Sequence, residues 1–137
     1  MANKPDRIVL DTNILIYFLI SDSFPKLEKR LKANKVKLLF SEELLQEFLL
    51  TVNRPKFKKY FTERELTILL ENLHYYAELI EVNSTVSVCR DKKDNFLLAL
   101  CSDGRANYLV TGDQDLLILK KFRKTSIVKI AEYLRLS

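Results

Sequence analysis

The 137-residue sequence contains two cysteines, one histidine and no long apolar run, and each scarcity removes a class of function. Cys89 and Cys101 lie in apolar-leaning segments at no zinc-ligand spacing. They read as two small buried thiols in a reducing cytosol, not as a disulfide or a metal site. His74 sits mid-way through a helical pattern as a surface or core residue. A Ser-His-Asp or Cys-His mechanism would depend on it alone, which argues against acyl-transfer chemistry. The longest apolar run, Ile14 to Ile20, has seven residues and is too short to span a bilayer. The polar start, Met1-Ala-Asn-Lys-Pro-Asp6, lacks the apolar core of a signal peptide, so a cytoplasmic protein is expected. Repeats, linkers and low-complexity tracts are also missing.

What is present suits one globular domain over residues 1–137, long enough to bury its own core. The chain is 47% hydrophobic and 30% charged, a composition that argues against disorder. Twenty-three Lys and Arg against 18 Asp and Glu leave a net charge of +5. That modest excess hints at a polyanionic partner.

Hydrophobic periodicity divides the chain into alternating strands and helices. Arg7–Leu10 is a short β-branched strand, and Ile14–Leu19 a short buried helix. Pro25 suits the first turn of a second helix through Leu27 and Leu31. A strand follows over Val36–Phe40. Ser41 then caps a helix with Leu44, Leu45, Phe48, Leu49 and Val52 at helical spacing, ended by Arg54-Pro55. Thr62-Glu-Arg-Glu65 has the spacing of a capping box and opens a further helix. Leu79–Val82 is a weaker strand. Asp91-Lys-Lys-Asp94 precedes a helix, Phe96–Cys101, that is apolar nearly all round and therefore central, with Gly104 at its exit. Strands over Tyr108–Val110 and Ser126–Val128 and a last helix over Ile130–Leu136 complete the pattern. This order predicts an α/β fold with a parallel sheet.

Such sheets bind ligands outside the carboxyl ends of their strands, and acids gather there. Asp11 directly follows the first strand, and Asp113 follows Tyr108–Val110. Asp94 lies in the first turn of the central helix, where the helix dipole favours negative charge. Glu47 lies one to two turns into the helix after the second strand; Glu43 competes with it, and Asp91 with Asp94. Each acid also has a structural use, Asp11, Asp91 and Asp113 as helix caps. Two carboxylates about 4 Å apart repel by roughly 4 kcal/mol at an effective dielectric of about 20. The cluster therefore calls for a proton or a cation. Oxygen donors without a Cys or His cluster suit Mg²⁺ or Mn²⁺, whose chemistry serves phosphodiester hydrolysis.

Four stretches, Val9-Leu-Asp-Thr-Asn-Ile14, Ser41-Glu-Glu-Leu-Leu-Gln-Glu47, Arg90-Asp-Lys-Lys-Asp-Asn-Phe-Leu98 and Tyr108-Leu-Val-Thr-Gly-Asp-Gln-Asp-Leu116, together resemble the PIN-domain family of metal-dependent ribonucleases. They are most similar to its prokaryotic toxin branch from toxin–antitoxin systems (VapC-like). The resemblance implies an α/β/α sandwich around a parallel sheet of four to five strands. It implies that Asp11, Glu47, Asp94 and Asp113 are the catalytic acids and hold one or two Mg²⁺ or Mn²⁺ ions, with Asp115 as an auxiliary. Thr12, Asn13 and Thr111 match polar positions that support the acids by hydrogen bonds. Cys101 departs from the small residue usual at its position, which bears on packing alone.

The implied partners are RNA, single-stranded or in structured loops, a cognate antitoxin, and a second copy of the chain, with exposed-looking leucines such as Leu50 in keeping with a homodimer. RNA contacts are expected from Arg54, Lys56, Lys58 and Lys59, interleaved with Phe57, Tyr60 and Phe61, and from Lys120, Lys121, Arg123 and Lys124. An alternative reading is an inactive PIN scaffold that binds RNA or protein, against which the intact set of acids speaks. A receiver-type domain would show adjacent acids after the first strand. A dehalogenase-type phosphatase would need an aspartate where Asn13 stands.

Overall fold

The computed structural model describes residues 4–21 and 23–136. Its first strand, β1 (Asp6–Leu10), buries Ile8, Val9 and Leu10 in succession, as a strand covered on both faces does. Helices α1 (Thr12–Ile20) and α2 (Phe24–Lys32) lead to β2 (Val36–Phe40). The next helix, α3 (Glu42–Val52), starts where Ser41 Oγ accepts a hydrogen bond from Leu44 N at 3.1 Å. It is followed by a single turn, α4 (Pro55–Lys58), then by α5 (Glu63–Tyr76) and β3 (Ala77–Leu79). The central helix α6 (Lys92–Asp103) buries Leu97 through Cys101 without a break. Beyond it come β4 (Tyr108–Val110), α7 (Gln114–Leu117), β5 (Lys121–Phe122), β6 (Thr125–Val128) and α8 (Ile130–Leu136).

The strands form one six-stranded sheet in the order β3-β2-β1-β4-β6-β5. Every pairing is parallel except that of β5 with β6. The α/β architecture with helices flanking a parallel sheet is therefore observed, with one strand more than the pattern suggested. A two-residue strand inside a lysine run has no periodicity to read. It is set up by backbone instead: Lys120 and Arg123 take left-handed φ values of 61° and 53° on either side of β5. The strand expected over Leu79–Val82 begins two residues earlier, because α5 passes straight into β3 at Ala77. After it, residues 81–91 run without regular structure; the Asp103 carboxylate accepts from the backbone N–H of Asn83 and Ser84.

Gly104 is where the C-terminal end of α6 meets the sheet. A Cβ there would stand 2.9 Å from both Leu100 O and Leu39 Cδ1, so the glycine serves close packing and not an unusual φ. Cys101 is buried, its thiol pushed up to about 12 by burial. Cys89 is only half-buried, which corrects the expectation of two buried thiols. Among the described residues, no helix is long and apolar enough to cross a membrane.

The strand order fixes where a crevice opens. From β1 the chain moves to β2 and β3 on one side, then crosses back to β4 on the other side of β1. Crossovers between parallel strands are nearly always right-handed, so reversing direction switches the face that the connecting helices cover. The carboxyl ends of β1 and β4 thus flank a topological switch point, the usual position of a ligand crevice.

Candidate metal centre

Leu10 of β1 pairs with Val110 of β4, so the residues that follow, Asp11 and Thr111, emerge level with each other. Asp11 N donates to Val110 O at 3.2 Å, which closes the two strand ends together. Asp11 then ends extended backbone and caps α1, its Oδ1 accepting from Ile14 N at 2.9 Å. Its Oδ2 accepts a 2.5 Å hydrogen bond from the fully buried Thr111 hydroxyl. The same hydroxyl oxygen accepts from Asp113 N at 3.1 Å. Asp113 in turn caps α7, with Oδ1 accepting from Asp115 N at 2.9 Å.

Two further acids arrive on helices. Asp94 lies in the first turn of α6, only 5% exposed, and its Oδ2 is buried with no hydrogen-bond partner. Asp91, three residues earlier, caps the helix through Lys93 N at 2.8 Å. Glu47, half-buried on α3, comes from the opposite wall. The Lys93 ammonium stands 3.8 Å from its carboxylate in a loose, largely exposed ion pair. Asp11, Asp113, Asp94, Glu47 and also Asp91 line one cleft of about 440 Å³, together with Thr12, Asn13 and Lys93. Glu43 does not line this cleft but borders the groove next to it.

The charges in the cleft strain against one another. Burial, then the charge of Asp113, pushes the Asp94 carboxyl up to about 6. Asp11 is also raised, by burial first, against the hydrogen bonds of Thr111 and Ile14 that hold it charged; Glu47 and Asp113 raise it further. Carboxylate oxygens of Asp94, Asp113 and Asp115 lie within 4.8 Å of one another. Ligands on opposite sides of an octahedral Mg²⁺ are about 4 Å apart, within a small side-chain adjustment of that spacing. The orphaned Asp94 oxygen, the mutual repulsion and the all-oxygen donor set together fit a hard divalent cation.

Not every expected residue meets here. Asp115 contributes to the aspartate trio but also takes an exposed 3.3 Å ion pair from Arg90. Of the three supporting polar residues, Thr111 makes the bonds described, whereas the buried Thr12 hydroxyl has no partner. Of the cations, Arg54 lines the neighbouring groove. Lys56 and Lys59 lie over the adjoining rings of Phe57 and Tyr60. Arg123 and Lys124 form the turn that feeds β6, which places them at the amino edge of the sheet, opposite the acids. There Arg123 hydrogen-bonds Ser102 near the far end of α6. Lys93 escaped the sequence reading, although its position beside Asp94 was the available signal.

Comparison with known proteins agrees with this geometry. A protein of Methanocaldococcus jannaschii described as uncharacterized protein MJ1680 is 29% identical over 121 residues, spanning 86% of this chain and 77% of that protein. The family profile described as PIN domain matches residues 7–115, a span that begins within β1 and ends just past Asp113. The chain therefore belongs to the PIN-domain family.

Proposed function

We propose that this protein is a metal-dependent endoribonuclease, and the toxin member of a toxin–antitoxin pair. PIN domains are in general nucleases, and the observation that carries the reading for this chain is the orphaned, buried Oδ2 of Asp94, a residue that lines one cleft with four more acids. Asp11, Glu47, Asp94 and Asp113, with Asp115 as an auxiliary, would hold one or two Mg²⁺ or Mn²⁺ ions. When bound, such an ion neutralises the acids, draws charge from a phosphate and makes water a competent nucleophile near neutral pH.

The chain's own residues do the rest. Thr111 and the N-terminal N–H groups of α1 and α7 hold Asp11 and Asp113 in place. Lys93 gives the Glu47 wall a cation that can meet a phosphate oxygen. The net charge of +5 draws the RNA backbone toward a locally acidic cleft.

The test incubates purified protein with a mixed single-stranded RNA pool in Mn²⁺ or EDTA, beside Asp11→Asn and Asp94→Asn. Cleavage is expected in Mn²⁺ alone and only by the wild type; cleavage that survives EDTA or both substitutions would sink the reading. The toxin role predicts that expression arrests growth and that a small neighbouring gene product relieves the arrest.

A further inference from the structure

Past Glu47 and Lys93 lies a second groove of about 270 Å³, bordered by Gln46, Leu50, Arg54 and Phe96. Glu47, Lys93 and Leu97 line both spaces, so the two adjoin across the Glu47–Lys93 pair. Its floor is unusual for α6. That helix buries every residue from Leu97 to Cys101, yet Phe96 is 55% exposed and Leu50, facing it from α3, is 72% exposed. Lys93 and Phe96 are three residues apart and share one face of the helix. An ammonium at the mouth of the acidic cleft is thus followed, one turn further on, by an open aromatic ring.

We infer that this groove receives the nucleobase adjoining the scissile phosphate, stacked on Phe96, with Lys93 on the phosphate that joins that nucleotide to the cleft. The inference rests on the nuclease reading above and names the part of the substrate that the neighbouring wall grips. A polymer whose phosphate lies among the acids must place its next unit where the cleft leads. A ring with an apolar flank, beside the amide of Gln46 and the guanidinium of Arg54, suits a base, which has a π-face and a polar edge. Only an unpaired base can splay onto it, so the substrate is single-stranded or looped.

The experiment scans an oligoribonucleotide that the wild type cleaves in Mn²⁺ with single abasic sites, for wild type, Phe96→Ala, Phe96→Trp and Lys93→Gln. Stacking on an aromatic is worth about 1–3 kcal/mol per base, so Phe96→Ala should lower kcat/KM by roughly 5- to 150-fold. Phe96→Trp should keep most of it. One abasic site within a nucleotide or two of the cut should impair the wild type and leave Phe96→Ala unchanged. Lys93→Gln should flatten the salt dependence of RNA binding by about 0.7 in log–log slope, the share of one phosphate contact.

Equal sensitivity of wild type and Phe96→Ala at every abasic position overturns the inference while the nuclease reading stands. If the wild type cleaves no RNA, the nuclease reading fails, and the same scan read as equilibrium binding in Mn²⁺ decides the groove. Absence of any Phe96-dependent position there overturns it too. A change of oligomeric state in Phe96→Ala, with RNA handling intact, would assign the groove to protein contact and overturn it likewise.

Discussion

Replacing Asp94 by asparagine should stabilise the metal-free protein, although the residue is buried and belongs to the site. The carboxyl is pushed up to about 6 from an ordinary 3.8, by burial first and Asp113 second. An acid whose pKa is raised in the folded state keeps a proton that the unfolded chain has released. Stability is therefore highest at and below about pH 4, falls as pH rises from about 4 to 6, and carries the full penalty above 6. A difference of about two pKa units is worth about 3 kcal/mol, a ceiling here because the cleft is open to water; 1–3 kcal/mol is the working range. Asparagine has nearly the same shape, removes the charge, and gives Asp113 an N–H donor in place of a repelling oxygen.

With unfolding entropy of about 2.1 cal/mol/K per residue, a chain of this length gains roughly 3–4 °C per kcal/mol. Asp94→Asn should then raise Tm by roughly 3–10 °C in EDTA at pH 8, and the gain should vanish near pH 4. Mn²⁺ should invert the order. Ligand at 100 times its Kd adds about 2.7 kcal/mol to the wild type and much less to the variant. Scanning calorimetry at the two pH values, with EDTA or Mn²⁺, measures all four corners. A variant no more stable than wild type at pH 8 in EDTA, or one whose gain does not depend on pH, refutes the account of Asp94 as an uncompensated buried charge.

Other substitutions separate the roles of neighbouring residues. Thr111→Val removes the hydroxyl that holds Asp11 and Asp113. It should cost about 1–3 kcal/mol and weaken Mn²⁺ binding about tenfold or more; unchanged affinity by titration calorimetry would show that Asp11 needs no support. Asp11→Asn keeps an equally good cap for α1, whereas Asp11→Ala loses about 1 kcal/mol of it. Both should lose the Mn²⁺-induced rise in Tm, but in EDTA only the alanine variant should melt lower, and matched melting would contradict the capping role. Gly104→Ala should cost about 1–3 kcal/mol by overpacking against Leu100 O and Leu39, a loss that urea titration would detect. Arg105→Gly, at an exposed position with φ 53°, should gain about 0.5–1 kcal/mol; a loss would mean that its side chain, not its backbone, matters there.

Much of the fold was legible because its central strands are continuous apolar runs and its helices begin at capping residues. β1, β2 and β4 and the caps Ser41 and Asp91 stand where their patterns put them. Periodicity could not choose between Glu43 and Glu47, since four residues make one helical turn and both share a face. Only depth along α3 puts Glu47 against the cleft and Glu43 outside it. Asp91 and Asp94 differ otherwise, since both line the cleft: the first is exposed and gives an oxygen to the helix end, the second is a turn deeper and buried. The lysine run near β5 divides for a topological reason, with Lys120 level with Ile127 of β6. A parallel strand has two ends, and Arg123 and Lys124 enter β6 at the end far from the acids.

The sequence also posed a choice that the structure dissolves. A strand-end aspartate could be a helix cap or a metal ligand, and the two uses looked like rivals. Each carboxylate has two oxygens, and Asp113 gives its α7 N–H bond to Oδ1 alone, so capping leaves Oδ2 for the cleft. Asp11 caps with Oδ1 and presents an Oδ2 already oriented by Thr111. Those donors fix the direction of the free lone pairs, which a ligand needs before an ion arrives, and at Asp11 they oppose the upward push of burial. Asp94 lacks such support and is the acid most strongly raised. The division of labour follows from hydrogen bonding: two acids are oriented by helix N-termini, and the third, buried with one orphaned oxygen, is the one whose burial a cation would relieve.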